Sequence, residues 1–207
     1  MNQVRRHGDA GQAFPIYITV VAGLLFLAFA FLAVGQAGTN RNGAQTAADA
    51  AALAAALDTR DQLTDEWVRN VRDPTKWQDI FDGLGVPFDG CARADQLAAQ
   101  NDATVACTPL QGTPPGYEVE ATTNKTVGDS IVPGTENKRS RAPATAVIES
   151  ACEFVLPEEA ADAETADADL LPTLTCDDGK WTLDPEDLTD LPGPEDLFDV
   201  HLADSNN

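Results

Sequence analysis

The sequence predicts an α+β fold in which one long N-terminal helix packs on a small antiparallel sheet. Apolar residues recur at helical spacing over roughly the first hundred positions, and from Asn101 the pattern changes to the alternation of extended strands. The net charge of −21 and an acid-rich last quarter predict a partly disordered C-terminal region. The predicted divisions are an N-terminal segment at 1–12, a transmembrane helix at 13–35, an α+β domain at 36–156 and an acidic tail at 157–207.

The transmembrane helix is predicted from Ala13–Val34, an uncharged apolar stretch of 22 residues. At about 1.5 Å per residue its helix is about 33 Å long, enough to cross a hydrocarbon core of about 30 Å. Arg5 and Arg6 precede it and place the N-terminus in the cytoplasm. The alternative is a cleavable signal peptide with small residues at Gly35–Ala37. Apolar regions of signal peptides usually span only about 7–15 residues, so we expect a retained anchor.

An alanine-rich helix is predicted next, because nine alanines lie between Ala44 and Leu57. The glycines in Gly35–Gly43 predict a hinge before it, and Thr46 with Asp49 matches a capping box at its start. Its small side chains would let another helix approach closely. A helix that simply covers the small core of its own domain is the alternative. The predicted packing residues are Ala47, Ala51, Leu53, Ala54 and Leu57.

Shorter elements are predicted further along the chain. The long helix should end before Pro74, and a short one should follow and stop at Gly83. Alternating β-formers predict strands, and Asp178-Gly179 predicts a hairpin turn. The expected elements are a helix at Cys91–Gln100, strands around Val105, at Tyr117–Val127 and around Val147 and Ile148, a hairpin at 173–183 and one possible strand at 198–203.

The charge distribution excludes one class of partner and leaves others open. Nucleic-acid binding is not expected, because phosphate contacts need clustered cations and the chain has 34 acids against 13 Lys and Arg. From Glu153 onward there are 17 acids, and Lys180 is the only Lys or Arg. This acidic run is typical of a solvated segment, with weak divalent-cation binding as an alternative. Lys138, Arg139 and Arg141 suggest a solvated basic loop or, alternatively, a contact with an acidic surface such as the protein's own tail.

The sequence contains no recognisable set of catalytic or metal-binding residues. The only histidines are His7 and His201, and no two cysteines have Cys-x-x-Cys spacing. We find no nucleophile–base pair and no glycine-rich phosphate loop. The expectation is therefore a protein that is not an enzyme and has no cofactor, metal or small-molecule substrate. Four widely spaced cysteines in an exported chain favour disulfides.

The apolar helix followed directly by "NGAQTAADAAALAAA" resembles the N-terminal region of TadG-like (TadE/TadG-like) proteins of the Tad (tight adherence, Flp) pilus-assembly system. "DGCARADQLAAQNDATVACT", residues 89–108, is similar to the Cys-helix-Asn-strand-Cys element of such proteins in high-GC Gram-positive bacteria. The resemblance implies a pilin-like domain outside the membrane. The matching N-terminal features are Arg5, Arg6, Gly11, Ala13–Val34 and Ala47–Ala56.

The same resemblance points to one processing position. Pilin-like members are cut after a glycine, which makes Gly11-Gln12 the possible cleavage point here. Many also carry a glutamate a few residues later, where this chain has Ile16. The resemblance therefore implies an uncleaved, membrane-resident component.

The cysteines pair most simply as neighbours, Cys91 with Cys107 and Cys152 with Cys176. The first pair would tie the Cys91–Gln100 helix to the strand around Val105, with a stabilisation of about 3 kcal/mol from loop closure. Four cysteines allow three connectivities, so the other pairings stay open.

The function these observations favour is a single-pass structural or assembly component of a Tad (Flp) pilus or related secretion apparatus. Its C-terminal body would lie outside the cell membrane, and it would act by helix packing with other pilus-assembly proteins. The alternative is an anchored extracytoplasmic binding module whose acidic tail contacts cell wall, cations or a basic partner.

Overall fold

The computed structural model describes residues 13–85, 89–126, 137–156 and 171–203, and the possible processing point at Gly11-Gln12 lies outside them. The helices are α1 (Ala13–Arg69), a 3₁₀ turn (Pro74–Lys76), α2 (Trp77–Phe81), α3 (Cys91–Gln100) and α4 (Pro194–Leu197). The strands are β1 (Ala103–Pro109), β2 (Gly116–Thr123), β3 (Arg141–Ser150), β4 (Cys152–Glu153), β5 (Leu174–Cys176), β6 (Gly179–Trp181) and β7 (Phe198–Leu202).

Helix α1 is 57 residues long and runs without interruption from the apolar stretch into the domain. The predicted hinge at Gly35–Gly43 is therefore absent. Each glycine weakens a helix by only about 1 kcal/mol, and extending an existing helix needs no new nucleation. The Thr39 hydroxyl donates to the Gly35 carbonyl at 2.9 Å within the helix. Asp49 accepts from Gln45 at 2.7 Å and does not cap a new helix.

The first part of α1 is long and apolar enough to cross a membrane, and its apolar window is entirely unburied. Large apolar side chains, among them Phe14, Leu24 and Phe31, are more than half exposed. A continuous exposed apolar surface of this kind indicates contact with lipid or with other proteins. The structure thus contains one candidate transmembrane helix among the described residues.

A four-stranded antiparallel sheet in the order β1-β2-β3-β7 covers the rest of α1. Side chains alternate along β2, so that Tyr117, Val119 and Ala121 are buried against α1 while Glu118 and Glu120 face outward. Helix α3 packs beside the sheet on α1 and β1. The domain therefore has the predicted α+β architecture, in which α1 packs against one face of the sheet.

The layer between α1 and the sheet consists of methyl groups at the end nearest the apolar stretch. Six alanines form one buried cluster there, three from α1 and one each from β1, β2 and β3. Larger side chains would separate the two layers, so alanine allows the helix to lie close to the strands. The six residues are Ala44, Ala47, Ala48, Ala103, Ala121 and Ala142.

Aromatic side chains fill the opposite end of the domain, around the C-terminus of α1. Trp67 and Trp77 are fully buried, with ring centroids 5.5 Å apart. Phe81 makes edge-to-face contacts with Phe154 at 5.7 Å and with Phe198 at 5.5 Å. We call this the distal end, because α1 runs toward it and away from the candidate membrane segment.

Residues 171–203 differ from the expected acidic tail because they are part of the domain. Strand β7 pairs with β3 at the edge of the main sheet, from Ala146↔Leu202 to Ser150↔Phe198. Leu174, Leu197 and Phe198 are buried in the core. The strand predicted at 198–203 is confirmed as β7, but the acids around it gave no sign that it joins the core of the domain. Residues 157–170 and 204–207 of the predicted tail lie outside the described part of the chain.

The hairpin expected at 173–183 is present as β5 and β6, but its turn is shifted by one residue. Cys176 pairs with Gly179, so Asp177 and Asp178 make the turn instead of Asp178-Gly179. Gly179 has φ +155°, a conformation that favours glycine. Together with β4, the hairpin forms a second sheet of three strands.

Both disulfides join neighbouring cysteines along the chain. Cys91–Cys107 connects the first residue of α3 to β1, with a Cα–Cα distance of 5.7 Å. Cys152–Cys176 connects β4 to β5, with a Cα–Cα distance of 3.9 Å. The first bridge fixes α3 beside the main sheet, and the second holds the hairpin next to the end of β3.

Candidate functional site

An apolar groove between α1 and α3 lies beside the alanine-rich part of α1. It has a volume of about 670 Å³. Ala50, Leu53, Ala54 and Leu57 line it from α1, and their spacing of three and four residues places them along one helix face. Leu57 is 39% exposed and forms an apolar patch together with Leu53 and the two alanines.

Helix α3 supplies the other wall. Ala92, Gln96 and Leu97 line the groove, whereas Ala94 and Ala98 point into the domain and are fully buried. Leu97 is half-buried at the groove. It lies on the boundary between the two faces of α3, so helical spacing does not decide which side it takes.

The start of α3 packs closely against α1 at Ala55. A Cβ added to Gly90 would lie 2.3 Å from the Ala55 carbonyl oxygen, so the start of α3 can approach α1 only with glycine there. The backbone N–H of Gly90 donates to the Tyr117 hydroxyl at 3.0 Å, and this hydroxyl lies 2.7 Å from the Thr59 hydroxyl. Tyr117 thus joins the sheet, α1 and the start of α3, which holds the groove walls in place.

Charged groups lie at the rim of the groove. Asp58 and Asp61 come from α1, and Arg93, which donates to Gln96, comes from α3. Asp58 accepts from Gln62 at 2.8 Å, and Asp61 is paired with Arg60 at 2.9 Å. An apolar floor with a charged rim is the usual arrangement of a protein–protein contact surface.

The predicted packing residues fall on two sides of α1. Leu53, Ala54 and Leu57 line the groove. Ala47 and Ala51 have no exposed surface, because the chain's own sheet and α3 cover them. For these two residues the structure corresponds to the alternative of a helix that covers its own core. Ala50, Ala92 and Leu97 were not singled out from the sequence, because nothing in the pattern shows that α3 lies beside α1.

The groove offers little to chemistry. Among the described residues, no three His, Cys, Asp or Glu side chains are grouped closely enough to hold a metal ion. Two carboxyls outside the groove have a lowered pKa: hydrogen bonds from Thr75 and Lys76 lower the pKa of Asp73, and hydrogen bonds from Thr189 lower the pKa of Asp187. Both shifts arise from hydrogen bonds to residues two or three positions further along the chain. What the groove can do is bury the apolar face of another chain.

Comparison with known proteins gives one match, at the N-terminal part of the chain. Residues 11–58 match the family model described as "Putative Flp pilus-assembly TadE/G-like". The matched segment includes the candidate transmembrane stretch and the α1 wall of the groove, and it supports a role in pilus assembly. No curated protein and no solved structure matches the chain.

Proposed function

We propose that this chain is a single-pass membrane component of a Tad (Flp) pilus or a related secretion apparatus. Residues 13–35 anchor it, with the N-terminus in the cytoplasm and the domain outside. The groove between α1 and α3 then receives a helix of another pilus-assembly subunit. The exposed position of Leu57 in a groove lined by apolar residues of two helices is the observation on which this proposal chiefly depends.

The sidedness of the domain follows from its covalent chemistry and from the flanking charges. The two disulfides favour an oxidising location outside the cytoplasm. Arg5 and Arg6 precede the apolar stretch, and cations close to a membrane segment favour the cytoplasmic side. Both features support a domain outside the cell membrane.

The shape of the groove supports a helix as its occupant. Its walls are two helices, and a third helix can lie between two neighbours at the usual interaxial distance of about 8–10 Å. The small residues Ala50, Ala54 and Ala92 permit close approach, and Leu53 and Leu57 supply apolar area to bury. The family match ends at Asp58, so it includes the α1 residues of the groove, whereas the exposed outer face of the sheet lies beyond it.

Replacing Leu57 with glutamate tests this proposal. The groove would then present an unpaired carboxylate to the incoming helix, and burying such a charge costs several kcal/mol. We expect the number of assembled pili to fall by about tenfold or more. The measurement is a count of surface pili by electron microscopy, with the cellular amount of the protein checked by immunoblot.

Leu202→Glu is the matched control, since Leu202 has the same side chain and is 37% exposed, but lies on β7 at the other edge of the sheet from β1. We expect normal assembly from this variant. Normal assembly with Leu57→Glu, or an equal loss with both variants, would exclude the groove as the contact surface.

A further inference from the structure

The end of the domain nearest the candidate membrane segment contains a cleft of about 480 Å³. Gln36, Thr39 and Asn40 of α1 form one side, and Asn101, Asp102 and Lys125 from the ends of α3 and β2 form the other. Asn40 Nδ2 is buried and has no hydrogen-bond partner among the described residues.

Cations are concentrated around this cleft although the chain as a whole is strongly acidic. We call the group the membrane-proximal collar, and all of its members are exposed. They come from three places: α1, the residues after β2, and the start of β3 with the segment before it. The end of β2 and the segment before β3 lie together, since Thr123 N–H donates to the Ser140 carbonyl at 3.0 Å. The collar comprises Arg41, Lys125, Lys138, Arg139 and Arg141.

Among the described residues, acids pair with two members of the collar. Asp102 accepts from Lys125 at 2.7 Å and Glu120 pairs with Arg141 at 3.2 Å. The hydrogen bond and charge of Asp102 raise the pKa of Lys125, so its ammonium group is charged at neutral pH. At the distal end the balance is reversed, since residues 65–85, 149–156 and 171–203 contain 16 Asp and Glu against four Lys and Arg. The charges of the domain are therefore separated along α1.

The collar lies just beyond the headgroup layer of a bilayer, within reach of its charge. Arg41 follows Val34, the last residue of the apolar stretch, by seven residues, which is about 10 Å along a helix. Headgroups extend about 5–7 Å beyond the hydrocarbon core on each side, and charges act over a Debye length of about 8 Å. Continuity of α1 fixes this distance, since no hinge separates the anchor from the domain.

We propose that the membrane-proximal collar binds the phosphate groups of anionic phospholipids around the anchor, with Lys125 facing one headgroup at the cleft. The proposal depends on the membrane anchor of the proposed function but not on the groove. Anionic surfaces attract juxtamembrane cations additively, whereas the acidic distal end is repelled. The contact would hold the domain with its distal end directed away from the membrane.

Amide hydrogen exchange of the full chain in nanodiscs tests this contact. Discs of phosphatidylcholine alone are compared with discs that also contain phosphatidylglycerol, and exchange is followed at residues 123–126 and 137–141. We expect exchange to be about fivefold slower with phosphatidylglycerol at low salt, and the difference to disappear at high salt. Comparing each variant in both discs removes the effect of its changed intrinsic exchange rate.

The double substitution Lys138→Glu with Arg139→Glu should abolish the dependence on phosphatidylglycerol. Lys76→Glu with Lys180→Glu is the matched control, because it changes the net charge equally at the distal end and should keep the dependence. Equal exchange in both discs, or an equal loss in the control, would overturn the proposal for the collar alone. Failure of the chain to enter discs of either composition would overturn the anchor and the collar contact together.

Discussion

Replacing Ala51 with leucine is expected to lower the free energy of unfolding of the domain by about 2–3 kcal/mol. Ala51 has no exposed surface and lies in the core formed by α1, α3 and the sheet. The added methylene groups would have to displace the sheet or α3, since close-packed interiors have no spare volume. The measurement is urea denaturation of the full chain in detergent micelles, followed by the fluorescence of the buried Trp67 and Trp77.

Ala50→Leu provides the matched control, since it makes the same chemical change one residue earlier. Ala50 is half-buried and lines the open groove, where a larger side chain has room. We expect its unfolding free energy to change by no more than about 0.5 kcal/mol. Similar effects from the two substitutions would mean that α1 does not present one inner and one outer face in the way described.

Replacing Phe198 with alanine is expected to cost about 3–5 kcal/mol of stability. Phe198 is 1% exposed and makes an edge-to-face contact with Phe81. It lies in the region where the sequence predicts an acidic tail, so the substitution would have almost no effect if that region were detached from the domain. The same urea denaturation measures the cost.

Leu202→Ala is the comparison for this second substitution. Leu202 lies on the same strand but is 37% exposed, so its truncation should cost less than about 1 kcal/mol. A loss for Phe198→Ala that is no larger than this would contradict the assignment of β7 to the main sheet.

Single helices and strands of this fold could be predicted from the sequence, because residue spacing and propensity within each segment determine them. Helix α3 has the predicted bounds, Cys91–Gln100, and the strands around Val105 and at Tyr117 appear near the predicted places. The prediction of a hinge at Gly35–Gly43 was wrong. Glycine and asparagine lower helix propensity, but they do not end a helix that is already formed on both sides. Propensity alone gives no measure of that cooperativity.

The residues of the candidate site are harder to predict from the sequence, because the groove depends on which helices and strands pack together. Alanine occupies both faces of α1, so Ala51 in the core and Ala54 in the groove look alike in the sequence. Their difference arises from where α3 and the sheet pack. The C-terminal strand shows the same limit: Phe198 and Val200 suggest a strand, but the partner strand β3 is about fifty residues away in the sequence and long-range pairing leaves no local signal.

The central claim is that the inner face of α1 holds its own domain together while the groove side contacts another subunit. Site-specific photocrosslinking in cells that assemble the pilus tests it most directly, with benzoylphenylalanine introduced at position 57 and, for comparison, at position 202. The proposed contact predicts a covalent adduct with another pilus-assembly subunit from position 57 and none from position 202. No adduct from position 57, or equal adducts from both, would contradict the claim.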